Sequence, residues 1–130
     1  MLRIFLVDDN AMARAAIKDA LQQRPDWVVV GEADNGRQAL EKFHDYTPQL
    51  TLMDFVMPEM NGLEAARVLT ERDPQARILM ITTDPSSQLE EEARNAGICG
   101  VCAKQEMKRL KDAIDVVMGG GTYFRQEARA

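Results

Sequence analysis

The stretch 50-LTLMDFVMPEMNG-62 decides how this chain is read. Leu50, Leu52 and Met53 form an apolar run that ends in a bare carboxylate, Asp54. Pro58 and the pair Asn61-Gly62 then turn the chain at once. A short apolar run bounded by turn residues is the mark of a buried strand. An acid at its carboxyl end does nothing for packing, so it needs a chemical reason.

Outward from this stretch the same pattern repeats. Residues 2-LRIFLV-7, 27-WVVVGEA-33, 49-QLTLMD-54, 76-ARILMIT-82 and 98-ICGVCA-103 read as strands, being short, apolar and rich in β-branched residues. Helical spacing of apolar residues runs from Ala11 to Gln23, then through Ala39, Leu40 and Phe43, then through Leu63, Ala66 and Leu69. Ser86 or Ser87 caps a fourth helix, SQLEEEARNA, which Gly97 ends. Met107, Leu110, Ile114 and Val117 stripe a fifth, closed by Gly119, Gly120 and Gly121. Five strands alternating with five helices predict an α/β fold, a doubly wound parallel sheet covered on both faces. In such sheets ligands sit beyond the carboxyl ends of the strands, which is where Asp54 lies.

Composition narrows the function. The chain has 130 residues, 45% hydrophobic and 28% charged, enough for one packed domain. The net charge is -5 and Lys and Arg are dispersed, so direct nucleic-acid binding by this segment is not expected. No apolar run approaches the ~20 residues of a membrane span, and the N-terminus lacks the apolar length of a signal peptide. The chain therefore reads as soluble and cytoplasmic. Cys99 and Cys102 form a C-x-x-C, but His44 is the only histidine and no further cysteine completes a zinc site. The pair lies in a predicted strand rather than at a helix start, so both are expected to be reduced, mostly buried thiols.

The strand ends converge chemically. The first ends in Asp8-Asp9, the third in Asp54, the fourth in Thr82-Thr83 and the fifth at Lys104. Singly, each has a plain structural role: a loop and N-cap, a turn residue, a strand threonine, a surface lysine. Together they place three acids at one rim, and each pair at ~5 Å repels by roughly 3 kcal/mol at an effective dielectric of ~20. A cation must offset that, and carboxylates with room for water suit Mg²⁺. A carboxylate, a hydroxyl, a lysine and Mg²⁺ together handle a phosphoryl group: an Asp can attack phosphorus to form an acyl phosphate, with the equatorial oxygens neutralised around it. His44 is not needed and is expected on a helix surface.

At 6-LVDDN-10, 52-LMDFVMPEMNG-62, 79-LMITT-83 and 96-AGICGVCAK-104 the chain resembles a response-regulator receiver domain of two-component signalling, from Leu2 to about Met118. The resemblance implies a flavodoxin-like strand order of 2-1-3-4-5. It implies that Asp54 is the phosphoacceptor and that Asp8, Asp9, Asp54 and the Val56 backbone carbonyl hold Mg²⁺. Thr82 would be the switch hydroxyl and Lys104 the phosphate-pairing lysine. The phosphoryl donor would be a phosphohistidine on a sensor histidine kinase. Output would pass through the face of the fourth helix, fifth strand and fifth helix, with homodimerisation on phosphorylation. Such a domain is a phosphoacceptor switch rather than an enzyme, with weak self-dephosphorylation at most.

Three positions depart from the family pattern. Val101 stands where relatives usually have an aromatic switch residue. Gln105 follows Lys104 where many have Pro, so a cis-proline loop is not expected. Val56 is apolar where many relatives carry a side chain that helps to place water, which predicts slow loss of the phosphoryl group. Residues 1–118 are read as the receiver and 119–130 as a C-terminal linker or tail, with Gln126 to Ala130 the start of a polar linker. The ending 119-GGGTYF-124 resembles regulators in which a helix-turn-helix output domain follows the receiver, so control of transcription through a domain absent here is the expected output, with a stand-alone receiver as the alternative. Two other functions compete. A haloacid-dehalogenase-type phosphohydrolase would want a D-x-D at the first strand and a capping insertion, and this chain has neither. A receiver-like protein-binding module that works without phosphorylation is the main alternative.

Overall fold

Each strand alternates its side chains between two apolar layers, and each helix covers one of them. The computed structural model describes residues 1–124. In it β1 (Leu2–Val7), β2 (Trp27–Ala33), β3 (Leu50–Asp54), β4 (Ile78–Thr82) and β5 (Gly100–Ala103) form one parallel sheet in the order β2-β1-β3-β4-β5. Between them run α1 (Ala11–Leu21), α2 (Gly36–Tyr46), α3 (Gly62–Arg72) and α4 (Ser87–Asn95), and α5 (Leu110–Met118) follows β5. On one face Ile4, Leu6, Leu52, Ile81 and Cys102 pack with α1 and α5 through Ile17, Leu21, Ile114 and Val117. On the other, Phe5, Met53, Met80 and Val101 pack with α2, α3 and α4 through Phe43, Leu63, Leu69, Leu89 and Ala93. The alternation of Ile4 with Phe5, and of Ile81 with Met80, is the two-residue strand period made visible.

The helix starts are fixed by short polar side chains. Asn10, Asn35, Asn61 and Ser86 each accept from the backbone N–H three residues on. At Asn61 the Glu64 side chain also reaches back to the Asn61 N–H, completing a capping box. The expected strand order and the helix count hold.

Local boundaries differ at the C-terminal end. Met107 was expected in the last α-helix, but residues Lys104–Arg109 form a 3-10 helix, with Glu106 at φ -110, ψ 47 breaking the helical path before α5. Beyond α5 the chain doubles back. Tyr123 forms a parallel bridge to Gly100, donating to the Cys99 carbonyl and accepting from the Val101 N–H, both at 2.9 Å. Phe124 is buried. Gln126 to Ala130, read as a linker, lie outside the described residues. Both cysteines are free, Cys102 buried and Cys99 half-buried, and burial pushes the Cys102 thiol up to about 11. His44 is exposed, as expected.

Candidate functional site

The parallel register carries the polar residues to one rim. Val7 pairs with Met53, so Asp8 leaves β1 beside the end of β3. Asp54 pairs with Ile81, which puts Thr82 one residue further along the neighbouring strand. Thr82 in turn pairs with Ala103, and Lys104 follows. One carboxylate oxygen from each of Asp8, Asp9 and Asp54 falls within a mutual 4.8 Å.

Asp8 is fully buried, Asp54 nearly so, and Asp9 is exposed. The Asn10 N–H donates to Asp8 Oδ1 at 2.9 Å. The Lys104 ammonium bridges the other two groups, 2.8 Å from Asp8 Oδ2 and 3.2 Å from Asp54 Oδ1. The contact at Asp8 Oδ2 is an ion pair without hydrogen-bond geometry, and among the described residues that oxygen has no other partner. Burial, then the charge of Asp8, pushes the Asp54 carboxyl up from 3.8 to about 6, with Lys104 working against the shift. Burial also opposes the charge on Lys104, but its close contact with Asp8 and the charges of Asp54 and Asp8 outweigh it, so its pKa is raised.

One cation is thus shared by two of the three acids. The crowding leaves a buried, under-coordinated carboxylate oxygen beside two further hard oxygen donors. That donor set fits a small divalent cation such as Mg²⁺, which prefers oxygen ligands and retains waters. It does not fit a thiolate- or imidazole-seeking metal, since Cys99 and Cys102 lie within β5 or just before it and His44 is on α2.

The loop 55–61 after β3 explains the turn residues of the opening stretch. The Gly62 N–H donates to the Phe55 carbonyl at 2.8 Å and the Met60 N–H to the Pro58 carbonyl at 2.7 Å. A Cβ at Gly62 would collide with the Asp54 carbonyl oxygen, so only glycine lets α3 start this close to the acid. Met57 is buried and Met60 half-buried against the core, which is packing rather than chemistry. Val56 stands in this loop with its side chain 67% exposed.

Thr82 is buried, and its hydroxyl accepts from the Asp84 N–H at 3.2 Å. Two contacts at the rim were not foreseen. Arg14 on α1 donates to the Asp8 carbonyl at 2.6 Å and pairs with Glu32 at 3.0 Å, fixing the turn that carries Asp8. Gln105 donates from its side-chain amide to the Thr83 carbonyl, tying the segment after β5 to the loop after β4. No cis peptide is present among the described residues, consistent with Gln105 in place of Pro. Periodicity cannot reveal either contact, because both join residues brought together only by the fold.

Comparison with known proteins agrees with this geometry. The family model of the response regulator receiver domain matches residues 4–115. The chemotaxis protein CheY of Bacillus subtilis (strain 168) is 42% identical over 87% of this chain and 94% of its own. The transcriptional regulatory protein DegU of Brevibacillus brevis is 31% identical over 95% of this chain and 52% of its own, so the chain spans about half of that relative. A solved LuxR-family two-component response regulator from Aurantimonas sp. SI85-9A1 superposes with a TM-score of 0.90 at 32% identity, covering 93% of this chain and 87% of that one.

Proposed function

The chain belongs to the response regulator receiver domain family, and from that premise we propose that Asp54 accepts a phosphoryl group from a phosphohistidine of a sensor histidine kinase. A carboxylate oxygen of Asp54 forms the new P–O bond while the P–N bond to the donor imidazole breaks, and the imidazole leaves. The observation that carries this assignment is the shared cation: Asp54 sits at the open rim beside Asp8, Asp9 and Lys104. Asp8, Asp9, Asp54 and the Val56 carbonyl would hold Mg²⁺, which when bound supplies charge neutralisation for the phosphoryl oxygens. Lys104 pairs with one phosphoryl oxygen and the Thr82 hydroxyl bonds another, giving up Asp84. Residues 1–118 form the receiver and 119–130 lead toward an output that controls transcription, through the α4–β5–α5 face. Self-association accompanies phosphorylation, and the protein works in the cytoplasm. Among the described residues no helix is long and apolar enough to cross a membrane.

Incubation with Mg²⁺ and acetyl phosphate tests the assignment by intact mass. One added phosphoryl group is expected, and none on Asp54→Asn. Many turnovers of donor would point to a phosphohydrolase, and no addition to a module that binds partners without modification.

Val56 makes a separate prediction. Its exposed apolar side chain offers no hydrogen bond to a water approaching the acyl phosphate. Val56→Asn supplies one, worth roughly 1 kcal/mol, so the phosphorylated lifetime should fall about fivefold. The decay of the +phosphoryl mass peak measures it, and an unchanged half-life refutes the role.

A further inference from the structure

The chain's own Tyr123 and Phe124 lie along β5, Tyr123 paired to its backbone and Phe124 packed between β5 and α4. Tyr123 is stitched to β5 on both sides, through the Cys99 carbonyl and the Val101 N–H. Phe124 is buried in the same cluster as Leu89 and Ala93 of α4 and Val101 of β5. The Arg94 guanidinium of α4 covers its ring at 4.6 Å. Gly100 is bare where a Cβ would meet the Tyr123 carbonyl at 2.6 Å, so the absence of a side chain there is what lets the tail lie down.

This segment therefore touches both elements that lead away from the phosphorylation rim. β5 runs directly into Lys104. α4 begins at the Ser86 cap, just after the loop that holds Asp84 against the Thr82 hydroxyl and Thr83 against Gln105. The seat of Phe124 requires α4 and β5 at one separation, and α4 is set at its start by a loop anchored on Thr82. The tail is docked in the arrangement in which Thr82 holds Asp84.

Resting on the phosphoacceptor assignment above, we infer that segment 122–124 is a releasable latch, and that phosphorylation of Asp54 loosens it. Drawing the Thr82 hydroxyl to the phosphoryl group frees the Asp84 N–H, lets the loop and the start of α4 move, and opens the seat of Phe124. What leaves with the tail is whatever the chain connects to it. Because coupling between two sites is reciprocal, loosening the latch must favour the modified state by the same factor.

Hydrogen exchange on the whole chain reads this directly at the amides of Val101 and Tyr123, which make the two tail bonds. With Mg²⁺ and beryllofluoride as the phosphoryl mimic, exchange at both should quicken at least fivefold, the lower end of ordinary allosteric coupling. Phe124→Ala should tighten beryllofluoride binding by a comparable factor. Gly100→Ala, which pushes on the tail from the other side, should do the same without opening a cavity in the core. Quickened exchange with tighter binding establishes the latch. If acetyl phosphate adds its mass but Val101 and Tyr123 exchange unchanged, the latch is overturned alone. If no mass is added, the phosphoacceptor assignment fails and the latch fails with it.

Discussion

Lys104→Ala is expected to destabilise the metal-free domain by about 3 kcal/mol, the usual cost of stranding one member of a buried ion pair. The reason is Asp8. Its carboxylate is fully buried, and among the described residues Lys104 is the sole partner of its Oδ2 oxygen. Removing the ammonium also takes away the charge that holds down the Asp54 carboxyl, so Asp54 should bind its proton more tightly still. Millimolar Mg²⁺ should restore most of the loss by placing a new cation among the same oxygens. Urea unfolding with chelator and with Mg²⁺ measures both halves. A variant as stable as the parent in chelator would mean that the rim is not crowded in the sense argued here.

Asp54→Asn should act in the opposite direction. The folded carboxyl titrates near 6 rather than 3.8, so the folded state holds its proton more firmly than the unfolded chain. The stability this group contributes is full below its ordinary value and is lost as pH rises through about 6. A shift of that size corresponds to about 3 kcal/mol. In chelator at pH 8 the neutral amide should therefore be the more stable protein by up to about 3 kcal/mol, or roughly 10 °C in melting temperature for a domain of this size. At pH 4 parent and variant should converge, because the parent is then mostly protonated at this site. Mg²⁺ at pH 8 should narrow the gap by stabilising the parent more than the variant. Coincident melting curves at pH 8 would remove the electrostatic account of the rim.

Much of this was legible from residue order because parallel sheets couple sequence to place. An acid, hydroxyl or lysine at the end of an apolar strand must arrive at the same rim as its counterparts, and Asp8, Asp54, Thr82 and Lys104 do. The start of α4 was legible because Ser86 offered a side-chain cap. What escaped depends on contacts that no periodicity encodes. Met107 and Leu110 are three residues apart, a spacing that suits a 3-10 turn as well as an α-helix, and only the backbone break at Glu106 decides between them. Tyr123 and Phe124 follow three glycines and look like the start of a linker. They are held by the bare Gly100 and the ring-covering Arg94, residues far away in the chain. Gln105 could be seen to replace a proline, but not to reach across to Thr83.

Glycine at position 100 has a consequence for solubility. A parallel sheet ends in a strand with unpaired N–H and C=O groups, and a flat, apolar margin of that kind is a template on which other molecules can polymerise. At β5 the chain supplies its own lid: Tyr123 takes up the bonds that an intruding strand would seek, and only an unbranched backbone at Gly100 admits it. Tyr123 thus guards the sheet against amyloid-like growth from that side.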